Sequence, residues 1–251
     1  SSQCFSMNTK ILKINWELGK KNELLSLKLK SLDKVKIIAF IQARTTSTRF
    51  PGKIYEELNG VPILFHTIGK AKETKLINDV IVVSPTKLSY LPEGIEDFVY
   101  DVDEEDVLSR FYFCLLANKC DYVVRLTSDC PVLDPELIDF IIYHGVTNEA
   151  DYCSNVIKLT FPDGVDAELV SAKLLTFLYL TVKSRYHREH VTSLVRDNLE
   201  LQEQFKCISV ENNKDLSKIK LSVDTPEDLE RLKELDDRRL LSYEKTTQDN
   251  V

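Results

Sequence analysis

Apolar runs and amphipathic stretches alternate along the chain after residue 33. Short apolar runs typical of buried strands are followed by longer stretches whose apolar residues recur at helical spacing. In order, these segments are 34–42 (KVKIIAFIQ), 61–74 (VPILFHTIGKAKET), 79–84 (DVIVVS), 105–119 (EDVLSRFYFCLLANK), 121–127 (DYVVRLT) and 135–145 (PELIDFIIYHG). Strands that alternate with helices predict a mostly parallel sheet covered on both faces, which is a three-layer α/β/α fold.

The second half of the chain mixes strands and helices less regularly, and we assign it to the same domain, with bounds at residues 35 and 242. Its segments are 152–157, 165–182, 188–199, 205–211, 218–223 and 226–239. The last segment is predicted to be a helix, because residues 224–227 (DTPE) supply a cap residue, a proline suited to the first helical position and an acid in the first turn. We expect Leu229, Leu232 and Leu235 to form its buried face.

Residues 1–34 differ in composition from the rest and are predicted to be an N-terminal extension. They carry seven lysines against three acidic residues, whereas the whole chain has a formal net charge of −7. We interpret residues 1–6, ahead of Met7, as a cloning remnant. The pattern of Leu24, Leu27 and Leu29 suits either a docked helix or a mobile arm, and a surface extension is favoured. Residues 243–251 are predicted to be a C-terminal tail.

Composition excludes several classes of protein. The chain is 43% apolar and 29% charged, as in ordinary globular proteins. No apolar run approaches the roughly 20 residues of a membrane span, so we predict a cytoplasmic protein without a membrane partner. The negative net charge argues against nucleic-acid binding. Six cysteines without a CxxC pair predict no disulfide framework, and His187 and His190, in a chain with only four histidines, predict no zinc site.

Phosphate chemistry is indicated by a basic loop rather than by glycines. The seven glycines show neither the G-x-G-x-x-G spacing nor that of a P-loop. The strand predicted over 37–42 instead leads into ARTTSTRFPGK (43–53), which holds Arg44, Arg49 and Lys53 together with four hydroxyl side chains. Arginine offers paired hydrogen bonds to phosphate and lysine offers a point charge. Ligands of parallel sheets bind at the carboxyl ends of strands, so this position favours an anion site over a solvated loop.

Two carboxylates follow other predicted strands at the same edge of the sheet. Asp129 comes after the strand predicted over 121–127, and Asp224 comes after the strand predicted over 218–223. Carboxylate oxygens suit Mg²⁺, which takes its remaining ligands from water and phosphate. Asp134 is expected only to cap the helix that Pro135 starts, and Asp224 taken alone suits a helix cap equally well. Two aspartates facing a basic loop predict a metal–triphosphate site.

Six motifs in order, over about residues 35–235, resemble one known family. They are QARTTSTRFPGK (42–53), DEEDVLSRFY (103–112), VVRLTSDCPVLDPELID (123–139), FPDGVDAELVS (161–171), REHVT (188–192) and VDTPEDLERL (223–232). Together they resemble the cytidylyltransferases typified by spore-coat polysaccharide biosynthesis protein F. These are similar to the synthetases that make the CMP esters of 3-deoxy-manno-octulosonic acid and sialic acids.

The resemblance implies a nucleotide-diphospho-sugar transferase fold, Rossmann-like and of the glycosyltransferase-A type. It also implies a homodimer and Mg²⁺-dependent transfer of CMP from CTP to a sugar acid, with release of pyrophosphate, for surface polysaccharide synthesis. Carried over, the catalytic residues are Arg44, Arg49, Lys53 and Asp129, and the metal ligands are Asp129 and Asp224. The nucleotide would also contact Gln42, Ala43, Ser47, Arg110, Arg125, Thr127 and Ser128. The acceptor would contact Asp163, Asp166, Glu168, Arg188, Glu189 and His190.

Three positions depart from the family pattern, which has glycine where this chain has Thr46, Asp103 and Ser128. This departure motivates one alternative, a catalytically weak relative that binds nucleotide without turnover. The other alternative is a glycosyltransferase that uses a nucleotide sugar, with Asp101 and Asp103 as its D-x-D metal motif. The acceptor and the preferred base are not identified by the residues alone.

Overall fold

The computed structural model describes residues 9–19, 32 and 34–235. Its strands are Lys10–Ile14 (β1), Ile37–Gln42 (β2), Glu57–Leu58 (β3), Val61–Pro62 (β4), Asp79–Ser84 (β5), Glu96–Val99 (β6), Tyr122–Thr127 (β7), Tyr152–Ser154 (β8), Glu168–Ser171 (β9) and Cys207–Asn212 (β10). Its helices are Ile63–Lys72 (α1), Val107–Ala117 (α2), Pro135–Thr147 (α3), Ala172–Thr181 (α4), Arg185–Glu189 (α5), Ser193–Asp197 (α6), Leu199–Gln204 (α7) and Pro226–Glu234 (α8).

One mixed sheet organises the described part of the chain, with strand order β1-β10-β8-β9-β7-β2-β5-β6. Neighbouring strands are parallel except that β9 runs antiparallel to both β7 and β8. In the centre, Gln42 at the end of β2 pairs with Thr127 at the end of β7 and with Val83 of β5. The loops that follow these three strands therefore leave the sheet side by side.

Alternate residues of the central strand β2 pack into different layers. Ile37, Ala39 and Ile41 belong to a core that includes residues of α1, α3 and α8. Ile38 and Phe40 point to the opposite core, which includes residues of α2, α4 and α6. This alternation follows from the two-residue period of a strand that is covered on both faces. The predicted three-layer α/β/α fold with a mostly parallel sheet is confirmed.

The sequence correctly predicts the cap of helix α3 but leaves the cap of helix α8 undecided. Asp134 caps α3, its side chain accepting the backbone N–H of Glu136 at 2.9 Å, as predicted. Helix α8 is capped by Thr225 in a capping box with Asp228, so Asp224 is not the cap residue. Leu229 and Leu232 are buried, but Leu235 is 42% exposed because the helix ends at the preceding residue, so the prediction of a buried Leu235 is wrong.

Two other expectations need correction. Residues 10–14 form β1 at one edge of the main sheet, and Trp16 is buried, so the predicted surface extension is wrong for residues 9–19. Leu24, Leu27, Leu29 and residues 236–251 lie outside the described residues. The strand predicted over 218–223 is reduced to an isolated bridge between Lys220 and Asp163.

Within the described ranges, none of the helices combines the length and apolar character needed to cross a bilayer.

Candidate functional site

The basic loop leaves β2 at Gln42 and is pinned at both ends. The N–H of Ala43 donates to the carbonyl oxygen of Val83 at 3.0 Å, and the N–H of Gly52 donates to that of Thr45 at 2.8 Å. Gly52 has a φ of 71°, a conformation that glycine adopts without strain, and it starts the short 3-10 turn Lys53–Tyr55. The closed loop thereby turns Lys53 back toward the end of β7.

Lys53 joins the two predicted metal ligands. Its Nζ donates to Asp129 Oδ2 at 2.9 Å, to Asp224 Oδ1 at 3.1 Å and to the Val223 carbonyl at 2.8 Å. Its side chain is only 12% exposed. The N–H of Val223 also donates to the carbonyl of Asp129 at 2.9 Å, so backbone and side chain both tie the two segments together. The structure therefore brings Asp129, Asp224 and Lys53 into one cluster.

Arg44 and Arg49 are exposed on the basic loop, and Arg49 contacts the cluster. Arg49 Nη2 lies 3.4 Å from Asp224 Oδ1, and Arg44 Nη1 lies 3.8 Å from Glu189 Oε1. The side chain of Arg44 is 44% exposed and that of Arg49 is 66% exposed. Exposed guanidinium groups in loosely paired contacts keep donors available for an incoming anion. The basic loop thus presents two forked donors beside a pair of carboxylates.

Cations hold Asp224 in its ionised form. Burial alone would raise the pKa of its carboxyl group, but hydrogen bonding to Lys220 and the charge of Lys53 outweigh burial, and the pKa lies below its ordinary value. Lys220 Nζ contacts Asp224 Oδ2 at 3.0 Å and Asp228 Oδ2 at 2.7 Å. An ionised carboxylate is the form that a metal cation needs.

The donor set of the cluster fits a hard cation. Two carboxylate oxygens and one carbonyl oxygen already converge on a single positive centre, the Lys53 ammonium group. Mg²⁺ uses one or two protein carboxylates and takes its other ligands from water and phosphate. In the described part of the chain, no group of three or more His, Cys, Asp or Glu side chains is placed to hold a metal. A metal here would therefore need phosphate and water to complete its shell.

The FPDG loop packs against the segment that ends at Asp224. Asp163 Oδ2 accepts the Ser222 hydroxyl at 2.9 Å, and its backbone pairs with Ile219 and Leu221. Gly164 has a φ of 115°, and a Cβ there would lie 2.5 Å from the backbone nitrogen of Ser222. Only glycine permits this close approach. Burial raises the pKa of Asp163, while its hydrogen bond from Ser222 opposes the rise.

A pocket lies beside the cluster, against β7 and β9. Its lining residues are Arg125, Thr127, Val156, Leu159, Asp166, Glu168 and Arg196. Glu168 is fully buried and accepts hydrogen bonds at 2.5 Å from Arg125, Tyr152 and Thr192. Burial would raise the pKa of Glu168, but the charge of Arg125 and these hydrogen bonds keep it below its ordinary value.

Asp166 differs from Glu168 although both line the same pocket. Burial of its carboxyl group raises the pKa of Asp166 to about 7, and the nearby carboxylates of Asp163 and Glu168 add to the rise. Opposite Asp166, the Nε of Arg125 is buried and makes no hydrogen bond. The pocket therefore combines a carboxyl group whose pKa lies near 7 with a buried arginine N–H that makes no hydrogen bond.

Several residues that were predicted to contact the nucleotide lie on or next to the basic loop and make hydrogen bonds within the protein. Gln42 Oε1 accepts Arg125 Nη2 at 2.9 Å, Ser47 Oγ accepts the N–H of Phe50 at 3.2 Å, and the N–H of Ser128 donates to the Gln42 carbonyl at 3.1 Å. None of Thr46, Asp103 and Ser128 has a positive φ. The side chains that replace family glycines therefore introduce no left-handed backbone strain.

The guanidinium groups of Arg110 and Arg188 donate hydrogen bonds to groups of the protein itself. Arg110 is buried and donates to the carbonyl oxygens of Asp103 and Glu104 at 3.1 and 2.5 Å. Arg188 donates to Asp106 Oδ1 at 2.9 Å and to the Ser109 hydroxyl at 2.6 Å. The structure thus places Arg188 in a clamp between α5 and the start of α2 rather than in the pocket.

The REHVT segment supplies residues whose side chains do approach the site. Glu189 pairs with Arg44, and burial lowers the pKa of His190, with Arg125 and Arg196 among the charges that act on it. Val191 follows with a φ of 45°, which is strained for a β-branched residue. This turn directs the Thr192 hydroxyl onto Glu168 Oε1 at 2.5 Å.

Sequence reasoning missed Arg196 and Thr192. Thr192 ends the REHVT motif and Arg196 lies in the short helix α6, at positions where no strand end or loop composition marks a site. The one available signal for Arg196 is its place in the predicted segment 188–199, which already carried the candidates Arg188, Glu189 and His190.

Comparison with known proteins identifies the family. The family model described as cytidylyltransferase matches residues 38–247. The chain belongs to the cytidylyltransferase family. It is 30% identical over 219 residues to the spore coat polysaccharide biosynthesis protein SpsF of Bacillus subtilis, a match that covers 79% of this chain and 85% of that protein. It is 35% identical over 108 residues to a 3-deoxy-manno-octulosonate cytidylyltransferase of Bdellovibrio bacteriovorus, covering 42% of this chain and 44% of the relative.

A solved cytidylyltransferase from Leptospira borgpetersenii superposes with a TM-score of 0.71 at 31% identity, covering 79% of this chain and 85% of that one. The predicted family and the nucleotide-diphospho-sugar transferase fold are confirmed. As a member of the cytidylyltransferase family, the protein is a nucleotidyltransferase, which decides against the glycosyltransferase alternative. The carboxylate of Asp103, half of the D-x-D motif, instead accepts the N–H of Glu105 at 3.1 Å and closes a turn.

Proposed function

We propose that this cytidylyltransferase transfers CMP from CTP to a sugar acid of the nonulosonic or 3-deoxy-octulosonic type, with Mg²⁺ as cofactor and pyrophosphate as the second product. The observation that carries the proposal is the cluster in which Lys53 bridges Asp129 and Asp224, with Arg49 against Asp224 and Arg44 exposed on the same loop. Carboxylates that can bind a metal and arginines that can bind phosphate lie at the same edge of the sheet, where the parallel strands end. Nucleotidyl transfer requires both kinds of group close together.

The reaction needs position and charge rather than a side-chain nucleophile. The acceptor hydroxyl attacks the α-phosphorus of CTP and a new O–P bond forms while the hydroxyl proton is released to solvent. The bond from the α-phosphorus to the bridging oxygen breaks, and pyrophosphate departs with the electron pair. Asp129 and Asp224 would hold Mg²⁺, which supplies charge neutralisation at phosphate oxygens. Arg44 and Arg49 bind the triphosphate oxygens, and Lys53 at the base of the loop adds the charge that favours pyrophosphate as a leaving group.

The pocket beside the cluster suits a sugar acid. Arg125 and Arg196 both line it, so two cations can meet the carboxylate of the acceptor. Asp166 and Glu168 supply oxygens for sugar hydroxyl groups, and Val156 and Leu159 cover an apolar part of the ring. We expect Asp163, Glu189 and His190 to border this pocket when the acceptor is bound, and Arg188 to support it indirectly through its clamp on α2.

Three broader assignments accompany this proposal. Surface polysaccharide synthesis is supported by the name of the Bacillus subtilis relative. A homodimer is supported by Leu116 and Leu180, which are 51% and 68% exposed on α2 and α4 and offer apolar surface to a second copy. Light scattering of the purified protein tests the dimer, and cell fractionation tests the predicted cytoplasmic location.

Pyrophosphate release tests the function directly. The protein is mixed with Mg²⁺, each of the four nucleoside triphosphates in turn, and a panel of sugar acids. We expect release only with CTP and one class of sugar acid. Asp129→Asn keeps the side-chain shape but loses the charge that anchors the metal, so it should abolish release. Asp101→Asn is the matched control: it should react like the parent, whereas a D-x-D glycosyltransferase would lose its activity. Binding of CTP without pyrophosphate would instead indicate a catalytically weak relative.

A further inference from the structure

Trp16 comes from a segment that precedes the family match but is built into the domain. It is the single tryptophan of the chain and is 3% exposed. The family model begins at residue 38, whereas β1 pairs in parallel with β10 along its whole length. Directly after β1, the backbone N–H of Trp16 donates to Asn212 Oδ1 at 2.8 Å, and Asn212 Nδ2 donates back to the Trp16 carbonyl at 3.2 Å. The backbone of Trp16 is therefore held by a pair of hydrogen bonds to the side chain of Asn212.

The indole N–H reaches the loop that carries Asp129. Trp16 Nε1 donates to Asp134 Oδ2 at 2.5 Å, while Asp134 Oδ1 accepts the N–H groups of Glu136 and Leu137 at the start of α3. Asp129 and Asp134 lie in the same connection between β7 and α3. Trp16 thus fixes one end of a short loop whose other end holds a proposed metal ligand.

The indole ring also contacts the segment that supports Asp224. Trp16 and Phe161 meet edge to face with ring centroids 5.7 Å apart. Phe161 is two residues before Asp163, which accepts the Ser222 hydroxyl at 2.9 Å. Ser222 in turn lies two residues before Asp224. A single side chain therefore contacts the loop that carries Asp129 and also the segment that packs against the residues before Asp224.

We propose that Trp16 is a positioning residue for the metal–nucleotide site, and that this N-terminal strand is a working part of the enzyme rather than an addition to it. The inference rests on the proposed function, because it concerns how Asp129 and Asp224 are held for Mg²⁺ and CTP. Partners that orient metal ligands without touching the metal commonly affect metal affinity strongly. The indole contributes such a contact from outside the region that the family model covers.

The test separates positioning from general stability by measuring CTP binding with and without metal. Asp134→Ser keeps a good cap for α3 but loses the oxygen that accepts the indole N–H. Calorimetry with excess Mg²⁺ should show CTP binding weakened by about tenfold, as for other partners of metal ligands. With EDTA, binding should match that of the parent, because the arginines still hold the triphosphate. Ile14→Val is the control: it trims a buried residue of β1, lowers the Tm and should leave both affinities unchanged.

A second variant tests the hydrogen bond from the other side. Trp16→Phe keeps a ring against Phe161 and loses the N–H, so it should reproduce the metal-dependent loss, and the double variant with Asp134→Ser should lose no more than either single variant. Parent-like CTP affinity with Mg²⁺ in Asp134→Ser, or an equal loss with EDTA, would overturn the positioning role alone. A parent protein that binds no CTP under either condition would overturn the proposed function and this inference together.

Discussion

Replacing Asp166 with asparagine should remove a loss of folding stability that the parent suffers as the pH rises, because Asp166 is buried in the pocket. The folded-state pKa of this carboxyl group is raised by burial to about 7, whereas its ordinary value is 3.8. Below pH 4 the group is protonated in both the folded and the unfolded chain. Between those two pKa values the unfolded chain ionises first, so the free energy of unfolding of the parent falls as the pH rises.

The size of the effect follows from the distance between the two pKa values. They differ by about 3 units, and each unit corresponds to about 1.4 kcal/mol, so the parent loses up to about 4 kcal/mol between pH 4 and pH 8. Asparagine carries no charge at any of these pH values and avoids this loss. The variant should therefore gain stability relative to the parent as the pH rises through 7, with little further change above it.

Urea unfolding in EDTA, followed by circular dichroism at several pH values between 5 and 8, measures this difference. Asp215→Asn is the control without a slope in this range, because hydrogen bonds from Ser217 lower the pKa of the exposed Asp215, which is therefore ionised in both the folded and the unfolded chain from pH 5 to pH 8. A difference between Asp166→Asn and parent that stays constant from pH 5 to pH 8 would refute the reasoning. It would mean that Asp166 is ionised in the folded protein and that the pocket is more hydrated than the structure indicates.

Three further predictions concern the loops and the N-terminal strand. Arg49→Lys keeps the charge but loses the planar fork, so calorimetry should show weaker CTP binding; parent-like affinity would remove Arg49 from the triphosphate site. Gly164→Ala places a Cβ 2.5 Å from the Ser222 nitrogen and should lower the free energy of unfolding by about 2 kcal/mol or more, measured by urea titration. Deleting residues 1–19 removes β1 and Trp16 and should lower the Tm by several degrees, in contrast to loss of a surface arm, which would leave the Tm unchanged.

Local pattern alone is enough to predict the central strands, their covering helices and the position of the basic loop at the end of β2. The apolar run at 37–42 predicts a buried strand because its side chains must pack on both faces of a parallel sheet, and β2 does so. Asp134 was identified as a cap because an acid before proline satisfies free N–H groups within three residues. The meeting of Asp129 with Asp224 followed from the rule that parallel strands end at one edge, although the residues before Asp224 form only an isolated bridge.

Tertiary structure decided the features whose partners are distant in sequence. Residues 10–14 carry a short pattern that says little by itself, and their strand exists because β10, nearly 200 residues later, offers its edge. Arg110 and Arg188 lie in family motifs, and both donate hydrogen bonds to carbonyl and carboxylate oxygens of residues 103–106. Arg196 enters the pocket only because the turn at Val191 redirects the chain toward β9. Side-chain direction depends on packing between segments, and a one-dimensional pattern records which residues are present without recording what each one faces.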